Sequence, residues 1–585
     1  MVMPTSLVDA DSLLVVDVGA ATTRATHFDV VEGYYRFIAS GQAASTAIAP
    51  FKNVGEGVHQ AIRNLEAVTG RTLLDTNLRL IIPSQGGSGV DTFAATISAG
   101  PAIKTVVVGL LADVSFESAQ RLARTTYTRV VEAIGMNDRR KPEEQIDNIL
   151  RLRPDLILVA GGTDGGATRS MQRILETIGL ACYLLPPDKR PALLFAGNQA
   201  LVPEVKASFK SLTASLSIGA NLRPTLETED LLPAQRILAD LYAHIRMNQI
   251  GGVEELGAWA GGNLMPTAYA QGRIIRFLSQ IYDPRKGVLG IDIGASAATV
   301  AASFGGELTL GVYPQLGLGE GLSGLLGYTS LEDILRWLPL DIPADVVQDY
   351  LYQKSLYPTS IPATAEDLAL EQALARQTLY LAMNAASKDF SPCARRLAPG
   401  MTPYFEPILA GGSAITHVPT RGQSLLILLD AIQPVGVTTL ILDQNNLLPA
   451  LGAAANLNAI LPIQVLESGA FLGLATVVSP LSSSRPGTPL LRAQLVYENG
   501  NESRLEVKPG ALEILPLPIG QSARLYLEPL HHTDVGFGPG LGGSMTVNGT
   551  AMGVIVDGRG RPLRFPADQA HRRELLKKWL WTVGG

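Results

Sequence analysis

The sequence predicts a mixed α/β protein of several sheets. Three observations carry that expectation. Residues 13–30, LLVVDVGAATTRATHFDV, and residues 287–312, GVLGIDIGASAATVAASFGGELTLGV, share one layout. Each is an apolar strand, an Asp-x-Gly turn, a run of small and hydroxyl residues, and a second strand. Between them, residues 76–220 alternate apolar strands with amphipathic helices, the pattern of parallel βαβ units. From about residue 461 the chain breaks into short alternating runs separated by Gly, Asn and Pro, the pattern of an antiparallel β domain.

The elements follow in order. "SLLVVDVG" and "RATHFDVVEGYYRFIASGQA" read as antiparallel neighbours. "NVGEGVHQAIRNLEAVTG" is a helix with Val58, Ile62 and Leu65 on one face and Gly70 closing it. "IKTVVVGLL", "PDLILVAGG" and "PALLFAGN" are strands of the alternating region. The helix "ATRSMQRILETIG" carries an apolar stripe at Met171, Ile174, Leu175 and Ile178. Residues 221–285 read as mainly helical. Residues 364–389 form a helix opened by a Thr364/Asp367 capping box. "LPALGAAANLNA" is a small-residue helix able to cross another helix closely. "SSSRPGTP" (482–489) reads as an exposed loop, and a basic helix ends the sequence. The expected units are a first lobe at 1–75, an inserted α/β domain at 76–220, a helical connection and second lobe at 221–460, and a C-terminal β domain with its helix at 461–585.

Composition narrows the function. The 585 residues are 46% hydrophobic and 17% charged, enough apolar material for a large core. A formal charge of −6, from 47 basic and 53 acidic residues, argues against a basic nucleic-acid footprint, so no nucleic-acid partner is expected. Cys182 and Cys393 stand far apart in sequence, which argues against a disulfide scaffold or a zinc knuckle. "MVMPTSLVDADS" has no cationic-then-apolar signal pattern, and the apolar stretches are interrupted by Asp, Pro and Gly. A cytoplasmic protein without membrane contact is the expectation.

Asp17 falls where the first strand should end. Gly19 lets the backbone turn close to a ligand, Thr22 and Thr23 add hydroxyls, and Arg24 adds a fixed positive charge. Turn amides can cradle an anion. The acid repels phosphate but can hold water around Mg²⁺, which keeps several waters in such sites. Asp292, Gly294, Ser296 and Thr299 repeat the layout. A third element, Gly411-Gly412-Ser413 after the strand "PILA", can let a base and ribose lie against backbone.

Taken together, this set resembles the actin-like ATPase superfamily of sugar kinases, Hsp70 and actin, over roughly residues 10–75 and 285–458. The resemblance implies two ribonuclease-H-like lobes that close on Mg-ATP. Asp17, Gly19, Thr22 and Thr23 would form the first phosphate loop, Asp292, Gly294, Ser296 and Thr299 the second, and Gly411, Gly412 and Ser413 the adenosine turn. Asp17 and Asp292 would act in catalysis and hold Mg²⁺ through water. "DVGAATTRAT", "LILVAGGTDGG", "LLFAGNQA", "GIDIGASAAT", "ILAGGSAI" and "VDGRGRPLRFP" further resemble the MutL component of the glutamate mutase system, which is unrelated to the mismatch-repair protein of that name. That resemblance implies an ATP-driven reactivating chaperone whose partner is an adenosylcobalamin-dependent mutase subunit. Ala20, Ala21, Ala297 and Ala298 thin out the loops, and Arg24 replaces the usual Lys with a planar fork. Slow hydrolysis, below about 1 s⁻¹, is therefore expected. A small-molecule kinase and a nucleotide-dependent scaffold or polymer are the rival readings.

Other motifs carry less. Gly161, Gly162 and Asp164 in "AGGTDGG", and "AGNQA" at 196–200, read first as strand–helix turns, with a second ligand or partner contact left open. Asp-x-Gly precedes Ala-Gly-Gly in both halves, which leaves an internal duplication open. His531 and His532 are adjacent, so a shared metal needs a distorted loop. "DGRGRP" (557–562) reads as a hairpin turn with exposed arginines, an anion site being the alternative. Arg572, Arg573, Lys577 and Lys578 read as a solvated helix face, and Trp579 and Trp581 as a candidate docking surface.

Overall fold

The structure, a computed structural model, describes residues 11–394, 400–483 and 487–585. The first ten residues, and part of the loop expected at 482–489, lie outside the described residues.

The first sheet grows from a three-stranded meander, β1 (Leu13–Val18), β2 (Thr22–Val31) and β3 (Tyr34–Ala44). The apolar run of β1 is almost continuously buried, as a central strand covered on both faces should be. The helix Gly55–Thr69 packs across β2 and β3. It ends at Gly70, whose left-handed φ of 69° and N–H to Glu66 O (2.7 Å) close the last turn. Strand β4 (Thr92–Ile97) then adds to β1 in parallel.

An inserted sheet follows, made of β5 (Ile103–Gly109), β6 (Thr128–Gly135), β7 (Leu156–Ala160), β8 (Ala192–Phe195) and β9 (Ser215–Ile218). All its pairings are parallel, in the order β6-β5-β7-β8-β9. Met171, Leu175 and Ile178 of the helix Thr168–Leu184 are buried against it, with Ile174 packed at the margin. After two further helices, β10 (Leu264–Pro266) returns to the first sheet and pairs with β4 in parallel. That sheet therefore has the order β10-β4-β1-β2-β3.

The second sheet repeats the plan. Its meander is β11 (Gly287–Ile293), β12 (Ala298–Phe304) and β13 (Glu307–Tyr313). Strand β14 (Phe405–Gly411) adds to β11 in parallel, and β15 (Gly436–Leu442) adds to β14 in parallel. The order β13-β12-β11-β14-β15 matches that of the first sheet, strand for strand. Two helices, Thr267–Ile281 and Leu447–Ala454, form a middle layer in one apolar cluster with Leu13 and Val15 of one sheet and Val288 and Leu409 of the other. The capping box at Thr364 and Asp367 is present, with reciprocal bonds of 3.0 and 3.1 Å, and opens the helix Ala365–Ala386.

The remaining strands are β16 (Leu472–Ser479), β17 (Leu491–Tyr497), β18 (Glu502–Val507), β19 (Leu512–Leu515), β20 (Ser522–Pro529), β21 (Gly543–Asn548) and β22 (Val554–Asp557). Strands β18-β17-β20-β21 make an antiparallel sheet with a buried and an exposed face. Strands β16, β22 and β19 instead extend the second sheet to eight strands. The sheets thus cross the boundaries expected at residues 75, 220 and 460. Strand pairing is a long-range property, and local patterning around β4, β10 and β16 does not name the partner strand. Among the described residues, no helix is long and apolar enough to cross a membrane.

Candidate nucleotide-binding cleft

The two Asp-x-Gly hairpins line one cleft. Each turn closes in the same way: Gly19 N–H donates to Thr22 O, and Gly294 N–H to Ala297 O, both at 3.0 Å. The amides of residues 20, 21, 295 and 296 donate to no group among the described residues. Each hairpin therefore satisfies its own turn and still presents two free donors at the cleft wall, the arrangement that binds anions. At Gly19 a Cβ would meet the Thr22 carbonyl oxygen at 2.8 Å, so the turn needs glycine there. Around Gly294 there is room for one.

Asp17 is fully engaged. Its Oδ1 accepts from Thr96 Oγ1 (2.6 Å) and Thr267 Oγ1 (2.8 Å), and its Oδ2 from Asn446 Nδ2 (3.0 Å). These donors come from β4, from the first residue of one middle-layer helix and from the residue preceding the other. Asp443 begins the loop after β15 and caps the helix Leu447–Ala454, accepting from Leu447 N (2.7 Å) and Leu448 N (2.8 Å). Asp292 differs: no protein group among the described residues hydrogen-bonds to it. Withdrawal from water raises the pKa of all three carboxyls. Asp292 is pushed up to about 7, first by burial, then by the like charges of Asp17 and Asp443. Arg24, the cross-strand partner of Asp17, faces all three and is the nearby compensating cation. Burial lowers its pKa and the carboxylates oppose that.

Most of the expected residues come together here. Asp17, Gly19, Thr22, Arg24, Asp292, Gly294, Ser296, Thr299, Gly412 and Ser413 line the cleft. Thr23 does not. Successive residues on a strand face opposite ways, and Thr23 points into the core beside Gly57 of the helix Gly55–Thr69, with its hydroxyl unpartnered among the described residues. Gly411 is not part of the wall either. It is the register partner of Asp292, and a Cβ there would meet Asp292 Oδ2 at 2.7 Å, so its bareness makes room for that carboxylate. Gly412, at φ 92°, presses against the Ile293 backbone and turns the chain into the short helix Ser413–Thr416.

Sequence reasoning missed Thr96, Thr267, Asp443, Asn446 and His417. For Asp443 a signal was present, since "LILD" repeats the apolar-strand-then-acid pattern of "LVVD" and "GIDI". Thr96 and Thr267 reach Asp17 only through tertiary structure.

The residues fit a magnesium–phosphate group held through water. No cluster of three or more His, Cys, Asp or Glu side chains among the described residues is placed to hold a metal directly. The unbonded Asp292 carboxylate is the group available to metal-bound water, while Asp17 is occupied by three protein donors.

The secondary motifs resolve differently. The loop at 161–166 is stitched to its neighbours: Asp164 Oδ1 accepts from Gln199 N (3.1 Å) and Asn221 Nδ2 (2.9 Å), and Asn198 Oδ1 accepts from Gly165 N (3.2 Å). His531 and His532 are exposed. "DGRGRP" is neither an exposed turn nor an anion loop. Asp557 binds Arg559 (2.9 Å) and Arg561 (2.7 Å), and Asp430 binds Arg559 (2.7 Å) and Arg376 (2.8 Å), all with buried side chains. The apolar start of β22 carries these groups inward. Trp579 is buried under Arg559, whose guanidinium lies 4.8 Å from its ring centre, whereas Trp581 is 84% exposed.

A family model described as "MutL protein" matches residues 13–469. The chain belongs to the MutL protein family. Protein MutL of Clostridium tetanomorphum is 27% identical over 216 residues, covering 36% of this chain and 45% of that relative. The chain thus spans less than half the length of that MutL protein. Among solved structures, a diol dehydratase-reactivating factor in nucleotide-free form is 11% identical with a TM-score of 0.28, covering 78% of this chain and 99% of that one. The ethanolamine utilization protein EutJ from Carboxydothermus hydrogenoformans is 10% identical with a TM-score of 0.26, covering 76% and 90%.

Proposed function

We propose that this MutL-family chain is an ATP-binding, slowly hydrolysing conformational switch that serves as a chaperone or reactivating factor for an adenosylcobalamin-dependent mutase. The proposal includes two ribonuclease-H-like lobes of the actin-like ATPase type. One observation carries it: two sheets that share the order of five strands bring two identically closed Asp-x-Gly hairpins to a single cleft.

The free amides at 20, 21, 295 and 296, with Thr22, Ser296 and Arg24, bind and orient the phosphates. Bound Mg²⁺ supplies charge neutralisation to those phosphates. Asp292 orients water and holds or releases a proton at its carboxylate, for which a pKa near neutrality is suited. Gly412 and Ser413 offer backbone to the adenosine, and Gly411 leaves room for the Asp292 carboxylate behind them. The cleft holds about 130 Å³, below the roughly 300–1,000 Å³ of typical ligand sites. The two halves must separate to admit a nucleotide, and a ligand that favours one separation over another drives the switch.

Thermal unfolding with Mg-ATP and with Mg-ADP tests this on the wild type and on the double variant Asp17→Ala, Asp292→Ala. A ligand at a hundredfold excess over its Kd stabilises by about 2.7 kcal/mol. The expected result is a rise in wild-type Tm that the variant lacks. No rise in wild type overturns the nucleotide reading. Nucleotide-dependent co-purification of a mutase subunit then tests the partner.

A further inference from the structure

A second cavity, of about 200 Å³, lies outside the cleft, between the helices Ala365–Ala386 and Arg421–Ile432 and the C-terminal helix Gln569–Thr582. Its walls are mainly apolar, from Trp337, Leu368, Leu426, Leu576 and Leu580. Trp337 spends its indole N–H on Gln377 (2.8 Å), so it presents only its ring.

Four polar side chains break this wall: Gln423 is bonded to Thr420 N and Asp430 to Arg376 and Arg559, which leaves Gln372 and Arg376, one helical turn apart, with donors to spare. Gln372 is 6% exposed, and its amide makes no hydrogen bond among the described residues, its nitrogen being a buried orphan. Such a group costs free energy until something pairs with it. Arg376 donates only its Nε, to Asp430, and its two terminal nitrogens donate to no protein group among the described residues. The charge count points the same way. Among the described residues, Arg376, Arg559 and Arg561 are set against Asp430 and Asp557 alone, all with buried side chains and ion-paired with one another. The network carries one positive charge too many, and a buried charge without compensation is costly.

We propose that this cavity binds a small carboxylic acid with an apolar body, its carboxylate meeting Arg376 and Gln372 and its body filling the space among the leucines and Trp337. The size is suited to such a ligand, since engineered cavities of about 150 Å³ hold benzene. The carboxylate supplies the missing negative charge and accepts the free guanidinium and amide donors. This site is independent of the nucleotide reading and shares none of its residues.

The test is isothermal titration of the full chain with benzoate and hexanoate, and with the neutral analogues benzamide and hexan-1-ol. One or both acids should bind saturably, and the neutral analogues at least about tenfold more weakly, the size of a charge-assisted hydrogen bond. Arg376→Met removes the surplus charge, so that variant should fold and lose acid binding. Ala369→Phe fills the cavity and should block acid binding while leaving the Mg-ATP response intact. Absence of saturable acid binding to wild type overturns the proposal, as does equal binding of acid and neutral analogue. Undiminished acid binding by folded Arg376→Met overturns it too. If either variant misfolds, the acid-versus-neutral comparison on wild type still decides.

Discussion

At the scale of the residue, the cleft separates two threonines that are adjacent in sequence. Thr22 faces the cleft, and Thr23 buries a hydroxyl that has no partner among the described residues. An unpaired buried hydroxyl costs about 1–3 kcal/mol, and valine has nearly the same shape. Thr23→Val should therefore raise Tm and leave the Mg-ATP response unchanged, whereas Thr22→Val should leave Tm near wild type and weaken that response. Thermal melts with and without nucleotide read both. A fall in Tm for Thr23→Val would mean that its hydroxyl is paired after all. The pair also shows where sequence legibility stops. The Asp-x-Gly-x-x-Thr spacing correctly brought Asp17, Gly19 and Thr22 to one wall, because a tight turn places them locally. The structure places Thr23 in the core instead, because which face of a strand is core depends on the helix laid over it.

At the scale of the element, the two middle-layer helices matter most. The helix Leu447–Ala454 was legible as a small-residue crossing helix, and a Cβ on Gly452 would strike the Ala270 backbone of the helix Thr267–Ile281. Arg273 Nη1 donates to Gly452 O at 2.7 Å across that crossing. The crossing has a consequence no local pattern could show. Thr267 and Asn446, at the starts of the two helices, both bind Asp17. The distance between the helices thus sets the position of a cleft carboxylate. Gly452→Val should cost about 1–3 kcal/mol by overpacking and should also reduce the Mg-ATP stabilisation, although residue 452 is outside the cleft. A variant that loses stability but keeps the full nucleotide response would show that the helix pair does not position Asp17. The same long-range dependence explains why the local pattern of β16, β19 and β22 points to a separate β domain while their pairing joins them to the second sheet. Strands β22 and β16 differ locally, since all four residues of β22 and the last six of β16 are buried while β20 alternates.

At the scale of the whole molecule, the buried ion network joins parts of the second half that are far apart in sequence. Asp557 ends β22, Asp430 and Arg376 stand on two helices, and Arg559 holds Trp579 of the C-terminal helix. Burial alone would raise the Asp557 pKa, but Arg559 and Arg561 outweigh it and hold the carboxyl well below the usual carboxylate range. A carboxyl that is more acidic in the folded state stabilises the fold above its unfolded pKa, near 4, and loses that contribution as pH falls towards the folded value. The wild type should therefore lose stability as pH drops below about 4. Asp557→Asn removes one partner of a buried pair and should cost about 3–5 kcal/mol at neutral pH. Because asparagine does not titrate, the variant's stability should also fall less steeply in acid, so the two curves converge at low pH. Denaturant melts of both proteins from neutral pH down to pH 3 measure this. Parallel curves would mean that Asp557 does not carry the acid sensitivity, and that the network fixes the C-terminal helix by packing alone.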